Sequence, residues 1–176
     1  NMISDRSYRP GDIITASNGR TIEVDNTDAE GRLTLADALV YGEKLKPDAM
    51  VTVATLTGAI IVALGDNVAG FFTGHPDLKH KLEQAAQTTK EPVWHMPMVA
   101  HCKETLKSSI ADMVNSGKTR AAGSITAAQF LQDFVESTPY AHVDIAGTAM
   151  DMKAGVATGY GARLLAQLVL TFDGKK

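Results

Sequence analysis

The chain has 176 residues, 44% hydrophobic and 21% charged, which is ordinary for a globular core. A formal net charge of −3 leaves no electrostatic footprint for nucleic acid, and no window comes near the roughly 20 apolar residues of a membrane-spanning helix. A single cysteine, Cys102, excludes an internal disulfide framework and paired-cysteine zinc sites, and fits a reducing compartment.

The opening "NMISDRSYRPGD" shows no basic stretch followed by an apolar one, so no secretory signal is expected. It reads as the middle of a longer chain, and the 176 residues are expected to be a fragment. "TIEVD" (21–25) alternates and is β-branched, which predicts a strand after a turn at Gly19. "RLTLADALVYGEKLK" (32–46) carries apolar residues at helical spacing and stops at Pro47. "AMVTVATL" (49–56) is a short continuous apolar run, the pattern of a strand buried on both faces. A short helix is expected over 57–65, ended by Gly65, and a strand over 68–74.

Further on, 76–90 opens with Pro76 at a first helical position and places Leu78, Leu82, Ala85 and Ala86 on one face. A weak strand is expected over 93–98 and a helix over 101–107. The polar, glycine-bearing stretch 108–123 reads mostly as loop. An amphipathic helix follows over 124–137, with Ser124 as its cap, then a strand over 140–147 and a closing helix over 157–172. Strands alternating with helices predict an α/β layered sandwich with a mostly parallel central sheet flanked by helices. Sites in such sheets lie beyond the carboxyl ends of the strands.

"NTDAEGR" (26–32) is the first stretch that could carry chemistry. If the strand continues, Asp28 and Glu30 point the same way at period two, and Gly31 lets the chain turn into the next helix. The unpaired N–H groups of that helix start would suit an anion. Carboxylates this close repel unless a cation lies between them, and a bridging carboxylate can hold two divalent ions about 3.5–4 Å apart. The same spacing also serves as a merely favourable acidic helix start, and spacing alone leaves both open.

Other groups carry weaker signals. His75, His80, His95, His101 and His142 form no HExxH pattern, and His142 in an apolar strand reads as a hydrogen-bonded structural histidine. His101 beside Cys102 is an adjacent pair rather than a nucleophile–base constellation. "SGKTR" lacks the GxxxxGK[ST] phosphate loop, so Lys118 and Arg120 read as a solvated loop. Trp94, Met96 and Met98 read as core or interface packing, and Asp112 and Asp144 as possible buried acids, Asp144 bracing a loop.

The unbroken octapeptide "NTDAEGRL" resembles the signature of the leucyl aminopeptidase family, the dinuclear cytosol aminopeptidases. "YRPGDII", "VATLTGAIIVALG" (52–65), "SSIADMVNSG" (108–117), "AGSITAAQFL" (122–131) and "AHVDIAGTAM" (141–150) resemble that family's catalytic domain in the same order, so the likeness covers nearly the whole chain. It implies that residues 1–176 are the carboxyl-terminal portion of that domain, in an enzyme that removes leucine-like amino-terminal residues from peptides. By the resemblance, Asp28 is a ligand of one metal and Glu30 bridges two divalent ions, zinc or manganese. Arg32 would hold a bicarbonate that accepts a proton from the attacking water. Thr55, Leu56 and Gly58 match the loop beside the substrate, Ala146 the pocket for the first side chain, and Asn26 the pocket wall.

The family's remaining ligands, a lysine and two aspartates, and its second, catalytic lysine belong to segments of the type "KG…D.GG" and "MK.DM.GAA", which are not found in this sequence. The 1–176 chain is therefore expected to be inactive by itself. The resemblance further implies a cytoplasmic enzyme assembled as a hexamer through these domains, with active sites facing an internal cavity. Two other readings stay open: a non-catalytic assembly module, and a DNA-binding accessory role known for some bacterial members, against which the acidic balance argues.

Overall fold

The computed structural model describes residues 3–117 and 119–173. Its elements in chain order are β1 (Ile13–Thr15), β2 (Thr21–Glu23), α1 (Glu30–Lys44), β3 (Met50–Ala54), α2 (Gly58–Leu64), β4 (Ala69–Thr73), α3 (Pro76–Thr89) and β5 (Val93–His95). A 3-10 helix (Ala100–Leu106), β6 (Met113–Val114), α4 (Gly123–Gln132), β7 (Tyr140–Asp144), β8 (Met150–Asp151), β9 (Val156–Ala157) and α5 (Ala162–Asp173) complete the chain. They fall into two compact units, Asn1–Met50 with Met98–Thr138, and Val51–Pro97 with Pro139–Lys176.

The first unit is built on a three-stranded sheet in the order β1-β2-β6. β1 and β2 form an antiparallel hairpin, and β6 joins β2 in parallel, pairing Ile22 with Met113 and Glu23 with Val114. Ile22, Val24, Ala36, Leu39, Met113, Phe130 and Leu131 supply its core. α4 is buried along most of its length, from Ser124 to Leu131. Asp133 at its end gathers Lys103 from the 3-10 helix and Arg20 from the hairpin. The cap differs from expectation. The helix begins at Gly123, after Ala122 in the left-handed region at φ 53°, so Ser124 lies inside the first turn and caps nothing.

The second unit holds a four-stranded sheet in the order β3-β7-β4-β5. β4 runs parallel to β5 but antiparallel to β7, so the sheet is mixed where the sequence predicts a mostly parallel one. β4 and β5 are joined by the crossover helix α3, which favours parallel pairing. β7 arrives only after residues 98–138, and no short crossover constrains its direction. β3 lies at the sheet edge with all five residues half-buried, not enclosed on both faces as its apolar run predicts. Within this sheet the fully buried strands are β4 and β7.

Gly70 is a packing requirement of this unit, because a Cβ there would lie 2.3 Å from Cδ1 of Ile60 on α2. α3 buries Leu78, Leu82, Ala85 and Ala86 as its spacing predicts. α5 starts later than expected, at Ala162, and Ala157 belongs instead to the hairpin of β8 and β9. Buried Glu91 holds the α5 start by accepting from the Leu164 N–H at 2.8 Å and from Arg163 Nε at 3.4 Å. His142 is structural, as expected: Nδ1 meets Thr52 Oγ1 at 2.9 Å and its ring stacks on Phe72.

Candidate metal and peptide site

The hairpin strand β2 ends at Glu23, and residues 26–29 form a turn rather than a continued strand. Helix α1 begins two residues earlier than expected, so Glu30 is its first residue and Gly31 lies inside it. The expected period-two alignment of Asp28 and Glu30 therefore does not occur. The turn, braced by the Asp28 N–H donating to Asn26 Oδ1 at 2.9 Å, delivers Asp28 just before the helix, and the helix delivers Glu30. Both side chains are exposed, and neither carboxylate accepts a hydrogen bond or ion pair among the described residues. Their charges converge on Tyr8, whose hydroxyl donates to the Thr27 carbonyl at 2.7 Å. Its pKa is raised by burial first, then by Glu30 and Asp28.

Arg32 stands two residues further along α1 and is buried, 8% exposed. Its Nη1 donates to the Asn115 carbonyl at 2.9 Å, and Cζ lies 6.0 Å from the Phe130 ring centroid. It lines a cavity of about 420 Å³ with Asp25, Asn26, Ser116, Gly117, Thr119 and Arg120, closed by Gly123 and Thr126 of α4. Arg120, read from sequence as part of a solvated loop, thus edges the same cavity as Arg32. Lys118 lies outside the described residues. A buried guanidinium presents a fixed planar fork suited to a small planar anion.

Asn115 was not singled out by the sequence. It is fully buried, and its amide accepts from the N–H groups of Asp25 and Asn26 at 2.9 and 3.2 Å. The same amide donates to the carbonyls of Asn26 and Ala29 at 2.7 and 3.4 Å. These partners are 86 to 90 positions away, so no local pattern could have announced them. The available signal was its place in "SSIADMVNSG", within a stretch that reads as loop. Asp112 in that stretch is exposed, not buried, and pairs with Thr21.

In the second unit Thr55 follows β3 and is exposed, Leu56 and Thr57 form the connection, and Gly58 opens α2. Thr57 caps α2 by accepting from the Ile60 N–H at 3.2 Å. The organiser of this corner is Asp144 at the end of β7, 1% exposed. Its Oδ1 accepts from the N–H groups of Leu56, Thr57 and Ala146 at 3.0, 3.4 and 3.2 Å, and its Oδ2 from Thr57 Oγ1 at 2.6 Å. Burial raises the Asp144 pKa, and these donors, Thr57 Oγ1 foremost, offset part of the rise. Leu56 and Ala146, separate in sequence, are thus tied to one carboxylate. Gly147 beside them lets the chain pass close to the Gly65 carbonyl, which a Cβ would meet at 2.2 Å. Trp94 is exposed rather than packed in a core, beside a separate groove on α3 and β5.

The hard carboxylate oxygens of Asp28 and Glu30 fit part of the ligand set of zinc or manganese. They do not complete one: among the described residues no three His, Cys, Asp or Glu side chains gather. The exposed acidic pair at the head of α1 precedes a buried guanidinium that lines a cavity.

The catalytic-domain model of the cytosol aminopeptidase family matches residues 1–166, and the chain belongs to that family. It is 60% identical to a probable cytosol aminopeptidase of Nostoc punctiforme, over 97% of this chain and 35% of that protein. Its identity to a probable cytosol aminopeptidase of Trichormus variabilis is 58%, over 97% of this chain and 36% of the relative. The structure superposes on a tomato leucine aminopeptidase mutant with a TM-score of 0.94 at 50% identity, covering 97% of this chain and 34% of that one. The chain therefore spans about a third of the length of the relatives it matches.

Proposed function

We propose that this chain is the carboxyl-terminal portion of the catalytic domain of a metal-dependent aminopeptidase that removes leucine-like residues from the amino termini of peptides. The observation that carries this reading is the head of α1: two exposed carboxylates with no partner among the described residues, followed two positions later by a buried arginine that lines a cavity. Asp28 would hold one divalent ion, zinc or manganese, and Glu30 would bridge two. When bound, such ions lower the pKa of a water and polarise a scissile carbonyl. Arg32 would hold a bicarbonate through its donor fork, and that anion would supply a proton acceptor for the water. Asn26, which lines the Arg32 cavity, would form part of the pocket wall. Thr55, Leu56 and Gly58 would clamp the peptide backbone, and Ala146 would line the pocket for its first side chain. Asp144 holds that clamp in place.

Two carboxylates are too few to complete two metal sites, so the 1–176 chain alone is inactive in this reading, and other segments of the whole enzyme supply the missing ligands. The whole enzyme works in the cytoplasm as a homo-oligomer, a hexamer by family likeness. Hydrolysis of an aminoacyl-anilide during a zinc or manganese titration is the test. The whole enzyme should be strongly metal-activated, and the 1–176 chain should stay at the background rate. A robust metal-stimulated rate from the 1–176 chain alone would overturn the incomplete-site reading.

A further inference from the structure

We propose that Asn115 is a positioning residue that fixes the metal-holding carboxylates and the anion-holding arginine relative to each other. This rests on reading Asp28 and Glu30 as metal ligands and Arg32 as the anion holder. The parallel pairing of β6 with β2 brings Asn115 beside the end of β2, where its own N–H donates to the Glu23 carbonyl at 2.9 Å. Its side chain then meets the turn that carries Asp28. Two N–H donors face its oxygen and two carbonyls face its nitrogen, so only one amide orientation satisfies the network. The last of these carbonyls belongs to Ala29, the residue that precedes Glu30 at the start of α1.

The backbone of the same residue does the second task. The Asn115 carbonyl takes the hydrogen bond from Arg32 Nη1 at 2.9 Å. One fully buried residue therefore holds the turn before the carboxylates and the guanidinium after them. Asp25, Asn26 and Asp28 are on the surface, so the turn is held from beneath: Asn115 meets it at four points, beside single bonds from the Tyr8 hydroxyl to the Thr27 carbonyl and from the Ser116 hydroxyl to Asp25. Partners that orient metal ligands affect metal affinity or activity by about 10–100-fold when removed. Asn115→Asp is the informative variant. It keeps the shape and the acceptor, but sets a carboxylate oxygen against the Asn26 and Ala29 carbonyls.

The test uses the whole enzyme. Zinc affinity is read by competition with a chromogenic chelator, alongside kcat and KM for an aminoacyl-anilide. Asn115→Asp should weaken zinc binding by about 10-fold or more and lower kcat, with KM within about twofold. Unchanged zinc affinity and kcat in folded Asn115→Asp would overturn the proposal, whatever its melting temperature. Should that variant not fold, hydrogen exchange on the wild type decides: zinc should slow exchange at the Asp25 and Asn26 amides, and protection confined to α1 would count against it. Asp28→Asn is the control. If it leaves zinc affinity intact, the metal-ligand reading itself fails and the proposal with it. If it weakens zinc binding while Asn115→Asp does not, only the positioning role is lost.

Discussion

Asp144 concentrates four donors on one buried carboxylate, so its removal has a calculable direction. Asp144→Ala leaves three N–H groups and one hydroxyl without their acceptor, and each buried orphan costs about 1–3 kcal/mol. The expected loss is about 3 kcal/mol or more. Asp144→Asn keeps Oδ1 for the three N–H donors and can donate to Thr57 Oγ1, so its loss should be about 1 kcal/mol. Urea unfolding midpoints of the two variants test this, and equal losses would show that the donors do not depend on the carboxylate. Arg32→Lys keeps a positive charge but loses the planar fork, and its damage to kcat in the whole enzyme should be milder than that of Glu30→Gln. A steady-state comparison in which the lysine variant is the slower one would reverse the roles given to the two residues.

At the scale of elements, α1 is anchored at its far end by Glu43, whose Oε1 accepts from the N–H groups of Glu136, Ser137 and Thr138 at 3.1, 3.4 and 3.1 Å. Burial alone would raise the Glu43 pKa, but the Thr138, Ser137 and Glu136 donors together lower it. A carboxylate with a lowered folded-state pKa contributes stability above its unfolded pKa, and that contribution is lost as pH falls through the folded value. Glu43→Gln should therefore be less stable than wild type at neutral pH, with the gap closing in the acid range. Thermal melts from neutral to acid pH check it, and a gap that widens on acidification would contradict it. Helix α1 itself was legible, because Leu39 and its apolar neighbours recur at helical spacing. Its start was not, because the acidic turn 26–30 suits a strand end as well as a first helical turn. The direction of β7 and the reach of Asn115 were illegible for a shared reason: each depends on pairing across tens of residues. Asp144 was half legible, a buried acid bracing a loop, while the identity of its four donors needed the fold.

At the scale of the molecule, β3 occupies an edge of its sheet with the uncharged sequence "MVTVA", half-buried throughout. Edges of this kind recruit other strands. The 1–176 chain should therefore self-associate, and light scattering over a concentration series should show mass rising with concentration. A concentration-independent monomer with sharp two-state melting would show that the edge needs no partner. The aminopeptidase reading depends most on the shared bridging charge of Glu30 next to Asp28. Its most direct test is the kcat of Glu30→Gln in the whole enzyme at a fixed metal concentration that saturates the wild type, measured with the bound metal content of the same sample. A fall of about 10²-fold or more, equivalent to about 2.7 kcal/mol, together with loss of bound metal is the predicted result. A Glu30→Gln enzyme with wild-type rate and full metal content would contradict it.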